Sequence, residues 1–163
     1  MYTWWRRKAL GDAILNAFKD STFNQGYSTE DVARDCLRLQ RLPGGPRRNL
    51  IAVGENGKIL GAVFHVPTRS ENRQGVGSYG WFFTSPDLPL ERRANIANSL
   101  IEETHTVMKN GGFSEVFVNM GTQEGKLFLK RRHGYTPMEH PTKLGEKVWH
   151  KDLRTGKGEE TEV

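Results

Sequence analysis

The chain has 163 residues, 36% of them hydrophobic, and 24 Lys and Arg against 19 Asp and Glu give a formal net charge of +5. That length suits one domain that buries most of its apolar surface, and no run of about 18 apolar residues is present to span a membrane. The single cysteine, Cys36, excludes an internal disulfide and a thiolate metal cluster and fits a reducing compartment.

The first residues, Met1-Tyr2-Thr3-Trp4-Trp5-Arg6-Arg7-Lys8, place their charges after the aromatics with no apolar segment behind them. They do not read as a secretory signal, so a soluble cytoplasmic protein is expected. A short strand over residues 1–5 is one reading of this stretch, and Trp4-Trp5 reads either as a contact patch or as packing against a sheet edge. Leu10, Ala13, Ile14, Ala17 and Phe18 recur at helical spacing, which predicts a helix over residues 6–19. Ser28-Thr29-Glu30-Asp31 resembles a capping box and opens a second helix that buries Val32, Cys36, Leu37 and Leu39. Pro43-Gly44-Gly45-Pro46 ends it.

Residues 50–53 and 59–66 are apolar runs around Glu55-Asn56-Gly57-Lys58, a hairpin signal. Residues 67–78 form a polar loop, and Gly80-Trp81-Phe82-Phe83-Thr84 is a strand. Residues 90–110 form a long helix with Ala97, Leu100, Ile101, Thr104, Val107 and Met108 on one stripe, capped by Gly111-Gly112. Glu115-Val116-Phe117-Val118-Asn119 is a further strand, followed by a short helix ending at Gly134-Tyr135 and a last strand at Lys147-Val148-Trp149-His150. Residues 154–163 have almost no apolar content and read as a disordered tail, leaving residues 1–153 as one α/β (α+β) domain around a mixed sheet flanked by helices.

Within this order, residues 79–135 form a β-α-β unit whose basic turn opens the long helix. The first N–H groups of a helix lack acceptors and its dipole adds partial positive charge, so such a start is an anion site. Arg92-Arg93 at a helix start opposes the dipole unless an anion sits there. The other basic clusters, Arg6-Arg7-Lys8, Arg47-Arg48 and Lys130-Arg131-Arg132-His133, read singly as solvated surface charge. His105 has no Cys, His or Asp at ligand spacing, so no metal is expected.

These residues resemble the GCN5-related N-acetyltransferase (GNAT) superfamily over roughly residues 49–149. In that family a strand leads into a pyrophosphate loop of pattern Arg/Gln-x-x-Gly-x-Gly/Ala at the start of a long helix. Arg92-Arg93-Ala94-Asn95-Ile96-Ala97 would be that loop, with Arg92 and Ala97 in pattern and Asn95 in the place of glycine. Gly134-Tyr135 matches the family's Gly-aromatic ending, while Leu129 or Lys130 stands where a tyrosine acid is usual. The resemblance implies a splayed strand pair that receives acetyl-CoA (coenzyme A), with Phe83, Thr84, Arg92, Arg93, Ala94, Asn95, Ile96, Ala97, Asn119 and Lys130 as coenzyme contacts.

It further implies acetyl transfer to a small-molecule or protein amine, which needs a base. Family members often carry a Glu on the strand before the loop, and Trp81-Phe82-Phe83-Thr84 has no carboxylate. His65, Glu71 and Asn119 are the candidates, although His65 also reads as a structural histidine and Asn119 as a strand end. Cys36 reads as a packing residue. A second expectation is a GNAT-like scaffold without catalysis, because the residue 81–85 block and the Phe128-Leu129-Lys130 helix are similar to acetyltransferase-like virion or assembly proteins of short-tailed bacteriophages. A basic nucleic-acid-binding module comes last, since no motif for nucleic acid is present.

Overall fold

Helix α1 (Trp4–Phe18) already includes Trp4 and Trp5. The strand read at residues 1–5 is therefore not formed by its last two residues, which follow the helical spacing of the segment behind them. The computed structural model describes residues 4–20, 28–66, 75–119, 123–137 and 148–154. Residues 1–3, Glu71, most of the polar loop and the tail beyond Arg154 lie outside them.

Helix α2 (Thr29–Arg41) starts at the capping box read from the sequence: the Asp31 N–H donates to Ser28 Oγ, and the Ser28 N–H donates to Asp31 Oδ2, both at 3.1 Å. Its stripe buries Val32, Ala33, Cys36 and Leu39, while Leu37 is half-buried. The Pro-Gly stretch ends α2 and also forms a short helix, α3 (Gly45–Arg48), which the sequence did not suggest. Gly44 takes φ +79° just before it, a conformation open to glycine.

Strands β1 (Leu50–Val53) and β2 (Ile59–His65) pair antiparallel, with Leu50 opposite Val63 and an irregularity at Ala52/Val53. Gly57 at φ +78° and the Gly54 N–H to Lys58 carbonyl bond of 2.8 Å close the connecting turn, which is longer than a two-residue hairpin loop. Strand β3 (Val76–Thr84) begins inside the stretch expected as loop, then α4 (Leu90–Asn110), β4 (Glu115–Asn119) and α5 (Gln123–His133) follow at the expected places. Two-residue β5 (Thr136–Pro137) and β6 (Val148–Asp152) complete a six-stranded mixed sheet of order β1-β2-β3-β4-β6-β5. No helix among the described residues is long and apolar enough to cross a membrane.

The chain divides into two compact units, Met1–His65 with Trp81–Thr104, and Val66–Gly80 with His105–Val163. In the first, Leu10, Ile14, Val32, Cys36, Val63, Phe64 and Ile101 are fully buried. In the second, Met108 and Val116 are buried to 1% exposure or less, with Val118, Leu129, Trp149 and Leu153 beside them. Each such Leu, Ile, Val or Phe contributes roughly 1.5–3 kcal/mol by leaving water. Within the second unit β3 and β4 pair in parallel from Val76↔Glu115 to Ser78↔Phe117.

Gly61 decides how closely β2 lies to the end of β3. A Cβ there would sit 2.7 Å from the Phe83 carbonyl oxygen and 3.0 Å from Leu100 Cδ1, and the first of these is backbone that cannot swing away. Gly61→Ala is expected to lower stability by about 1–3 kcal/mol, read as a reduced midpoint in urea unfolding with an unchanged slope.

Candidate functional site

The first unit carries the junction from β3 into α4. The Ser85 N–H donates to the Leu60 carbonyl at 2.7 Å, which anchors the chain as it leaves the sheet. The Leu88 N–H returns to the Ser85 carbonyl (3.4 Å), and the Arg93 N–H donates to the Pro89 carbonyl (2.9 Å) as the first bond of α4. The N–H groups of Leu90, Glu91 and Arg92 precede that bond and have no acceptor within the helix. Leu90 is 83% exposed, and Glu91 and Arg92 are exposed beside it.

Arg92, Ala94 and Asn95 are exposed, Arg93 and Ile96 half-buried, and Ala97 buried. All six lie in the first two turns of α4 rather than in a loop. From Ala94 onward the backbone N–H groups are spent on helical bonds, so the donors available to an anion lie upstream, at residues 90–92. Asn95 thus occupies no backbone cradle. Arg93 Nε donates to Thr84 Oγ1 at 2.9 Å, tying the last residue of β3 to α4. The Arg92 side chain is the exposed cation at this start, and Glu91 beside it competes with an incoming anion while favouring the dipole.

Phe83 is 4% exposed with its ring 5.9 Å from that of Phe18, a core residue. Trp81, half-buried on the same strand, meets Phe18 edge-on at 6.1 Å. Its indole Nε1–H donates to Asp35 Oδ2 at 2.7 Å, and Asp35 Oδ1 accepts from Arg38 Nη2 (2.7 Å) and Nε (3.1 Å). The carboxylate missing from β3 therefore reaches the strand from α2. The sequence holds one trace of this: Asp35 lies three residues after Val32 and four before Leu39, on the flank of the buried stripe.

His65 is 5% exposed, its backbone N–H donating to Asn49 Oδ1 at 2.8 Å, while Asn49 Nδ2 donates to Gln40 Oε1 at 2.9 Å. Its Nδ1 has no partner among the described residues. Burial above all, helped by the Arg48 charge and opposed by a backbone hydrogen bond at Arg48, lowers its pKa to about 4. It is neutral at pH 7 and a weak base. Cys36 is fully buried and burial pushes its thiol far up, so it packs and does not react.

In the second unit, Asn119 is exposed at the end of β4 opposite Val148, and Lys130 is exposed on the last turn of α5. A buried polar chain that the sequence did not indicate runs through this unit. The Tyr79 hydroxyl donates to the Tyr135 hydroxyl at 3.0 Å, and the Tyr135 hydroxyl shares a 2.6 Å hydrogen bond with His105 Nε2. Burial, with the charges of Lys151 and His133, lowers His105 to about 3, so it is neutral at pH 7. Burial raises both phenols. Tyr135 is 1% exposed, so its hydroxyl is a packed group and does not replace the missing tyrosine acid. Lys151 donates to the His133 carbonyl at 2.6 Å, and burial lowers His133 to about 4. Among the described residues no group of three or more His, Cys, Asp or Glu could hold a metal.

No protein-family model matches the sequence, and no curated protein matches it. Solved structures do match. An acetyltransferase of the GNAT family from Staphylococcus aureus superposes with TM-score 0.68 at 12% identity, over 93% of this chain and 96% of that one. The C-terminal condensation domain of Ebony, solved in complex with beta-alanyl-dopamine, gives TM-score 0.72 at 11% identity over 92% and 95%. The aminoglycoside 6′-N-acetyltransferase from Enterococcus faecium gives 0.62 at 10% over 93% and 92%. The chain has the GNAT fold, as the resemblance of its residues implied.

The three depressed histidines make stability depend on pH. Each is neutral when folded and takes a proton near its ordinary 6.5 when unfolded, so the unfolded chain binds more protons between about 6.5 and the folded values of about 4 (His65, His133) and 3 (His105). Stability is expected to hold above pH 6.5 and to fall steadily on acidification toward pH 4. Urea midpoints at pH 7.5, 6, 5 and 4 check this, and a flat profile would contradict the burial of these rings.

Proposed function

We propose that the chain is an acyl-CoA-dependent N-acyltransferase that takes the coenzyme's pyrophosphate at the start of α4. The supporting observation is the helix start shortly after β3, where the Leu90, Glu91 and Arg92 N–H groups precede the first helical bond and the Arg92 side chain is exposed, in a fold shared with N-acetyltransferases. Acetyl-CoA supplies a thioester, and the acceptor amine attacks its carbonyl carbon directly in a ternary complex. A C–N bond forms as the C–S bond breaks; the amine gives up a proton and the thiolate takes one. Neighbours that carry small-molecule amines or amides in their names, Ebony with beta-alanyl-dopamine and the aminoglycoside acetyltransferase, support a small-molecule amine as acceptor.

A scaffold that binds coenzyme without turnover is the second reading. It is favoured by the weak basicity of His65 and by the burial of Tyr135.

Binding and turnover separate cleanly. Saturating acetyl-CoA, at about 100 times its Kd, stabilises the folded state by about 2.7 kcal/mol and raises Tm by several degrees. Arg92→Glu is expected to abolish the shift without lowering the Tm of the ligand-free protein, and pantetheine, which lacks the pyrophosphate, gives none. No shift in about 1 mM acetyl-CoA overturns the proposal. A shift without thiol release across a panel of primary amines leaves the scaffold.

A further inference from the structure

We propose that Asp35, presented by the Trp81 indole against strand β3, is the residue that selects a cationic amine as acceptor. The inference rests on the acyltransferase reading and concerns its second substrate. Its basis lies wholly within the first unit. Residues 79–84 of β3 contain no ionisable group except Tyr79, so any charge recognition beside this strand comes from another element. Asp35 is the α2 carboxylate that touches it, through a 2.7 Å bond from Trp81 Nε1 to Oδ2.

Three features set Asp35 apart from an ordinary surface carboxylate. Its Oδ2 is held by a neutral donor on the sheet, which fixes the position of the carboxylate without itself adding a counter-charge. Its side chain is 36% exposed, which leaves it accessible to a ligand. Among the described residues it accepts three hydrogen bonds, two of them from Arg38 to the same oxygen, and a carboxylate has room for about four. Arg38 is 58% exposed and one turn away on the same helix; such pairs contribute little, so an ammonium group can displace the guanidinium.

The Trp81 ring, half-buried and held edge-on by Phe18, lies beside that carboxylate. The carboxylate sits at the N–H edge of the ring, so an ammonium that meets it would bring an apolar or aromatic stem against the indole. Trp81 is the positioning residue, since it acts on the acceptor through Asp35.

The test is steady-state acetylation of primary amines, with 2-phenylethylamine, lysine methyl ester and spermidine as the panel and phenylacetic hydrazide as an acceptor uncharged at neutral pH. Asp35→Asn keeps an oxygen for the Trp81 N–H and removes the charge. For the best amine it is expected to raise KM about tenfold or more with kcat within about twofold, while KM for the hydrazide stays put. Asp35→Glu recovers part of the loss. Trp81→Phe, which keeps the charge and frees its position, raises KM for the amine less than Asp35→Asn does. An unchanged amine KM in Asp35→Asn, or an equal rise for the hydrazide, overturns the proposal and makes Asp35 a mere partner for the indole. So does a parent protein that is stabilised by acetyl-CoA yet acetylates none of the amines. Loss of the acetyl-CoA shift itself in the parent protein points instead to failure of the coenzyme reading, on which this inference rests.

Discussion

The geometry of the candidate site depends on the hand-over from β3 to α4. Three hydrogen bonds fix it: Ser85 N–H to the Leu60 carbonyl, Arg93 Nε to Thr84 Oγ1, and Arg93 N–H to the Pro89 carbonyl. The second has a charged donor, a kind of bond that contributes about 1.5–3 kcal/mol. Gly61 lets β2 approach closely enough for the first, since any Cβ would strike the Phe83 carbonyl. With the helix start held in this way, the N–H groups of residues 90–92 stay ahead of the first helical bond in a fixed backbone. A loosely held start would spend part of its binding energy on ordering.

Burial sorts the remaining chemistry. His65, His105, His133 and the phenols of Tyr79 and Tyr135 are withdrawn from water and kept neutral near pH 7. Their protons are placed by neighbours rather than by solvent, as in the chain from Tyr79 through Tyr135 to His105. Such groups fix packing and are poor at exchanging protons with a substrate. Asp35 lies at the opposite pole: half-exposed, charged and yet fixed by an indole.

Local signals carried most of the fold. The helical spacing of Leu10, Ile14 and Phe18, the capping box at Ser28, the stripe of α4 and the apolar run of β4 each reappear in the structure within a few residues, because each is decided by neighbours in the chain. The exceptions are equally local in cause. Gly-Pro residues that stop α2 also permit α3, and β3 extends back to Val76 because Val76, Gly77 and Ser78 pair with Glu115, Val116 and Phe117 of β4, a pairing no window of sequence contains. The site was less legible. The helix start after the strand was visible from Arg92 and the residues before it, but the Asp35–Trp81 contact joins residues 46 positions apart and the Tyr79–Tyr135 contact joins residues 56 apart. Neither leaves a spacing that a periodic reading detects.

The position of the helix start also changes what Asn95 means. Glycine suits that place in the motif where backbone must lie against phosphate oxygens. Here α4 begins at Leu90, so the Asn95 N–H is already bonded within the helix and its side chain points to solvent. Replacing a glycine at such a point removes no donor from the anion and adds helix propensity. Glu91 offsets one of the two arginines that follow it, so the first turn keeps a net positive charge, to which its N–H groups and dipole add about 0.3–1 kcal/mol of attraction for an anion at an exposed helix end. In this chain the departure from the motif at Asn95 leaves both the donors and the charge of the helix start in place.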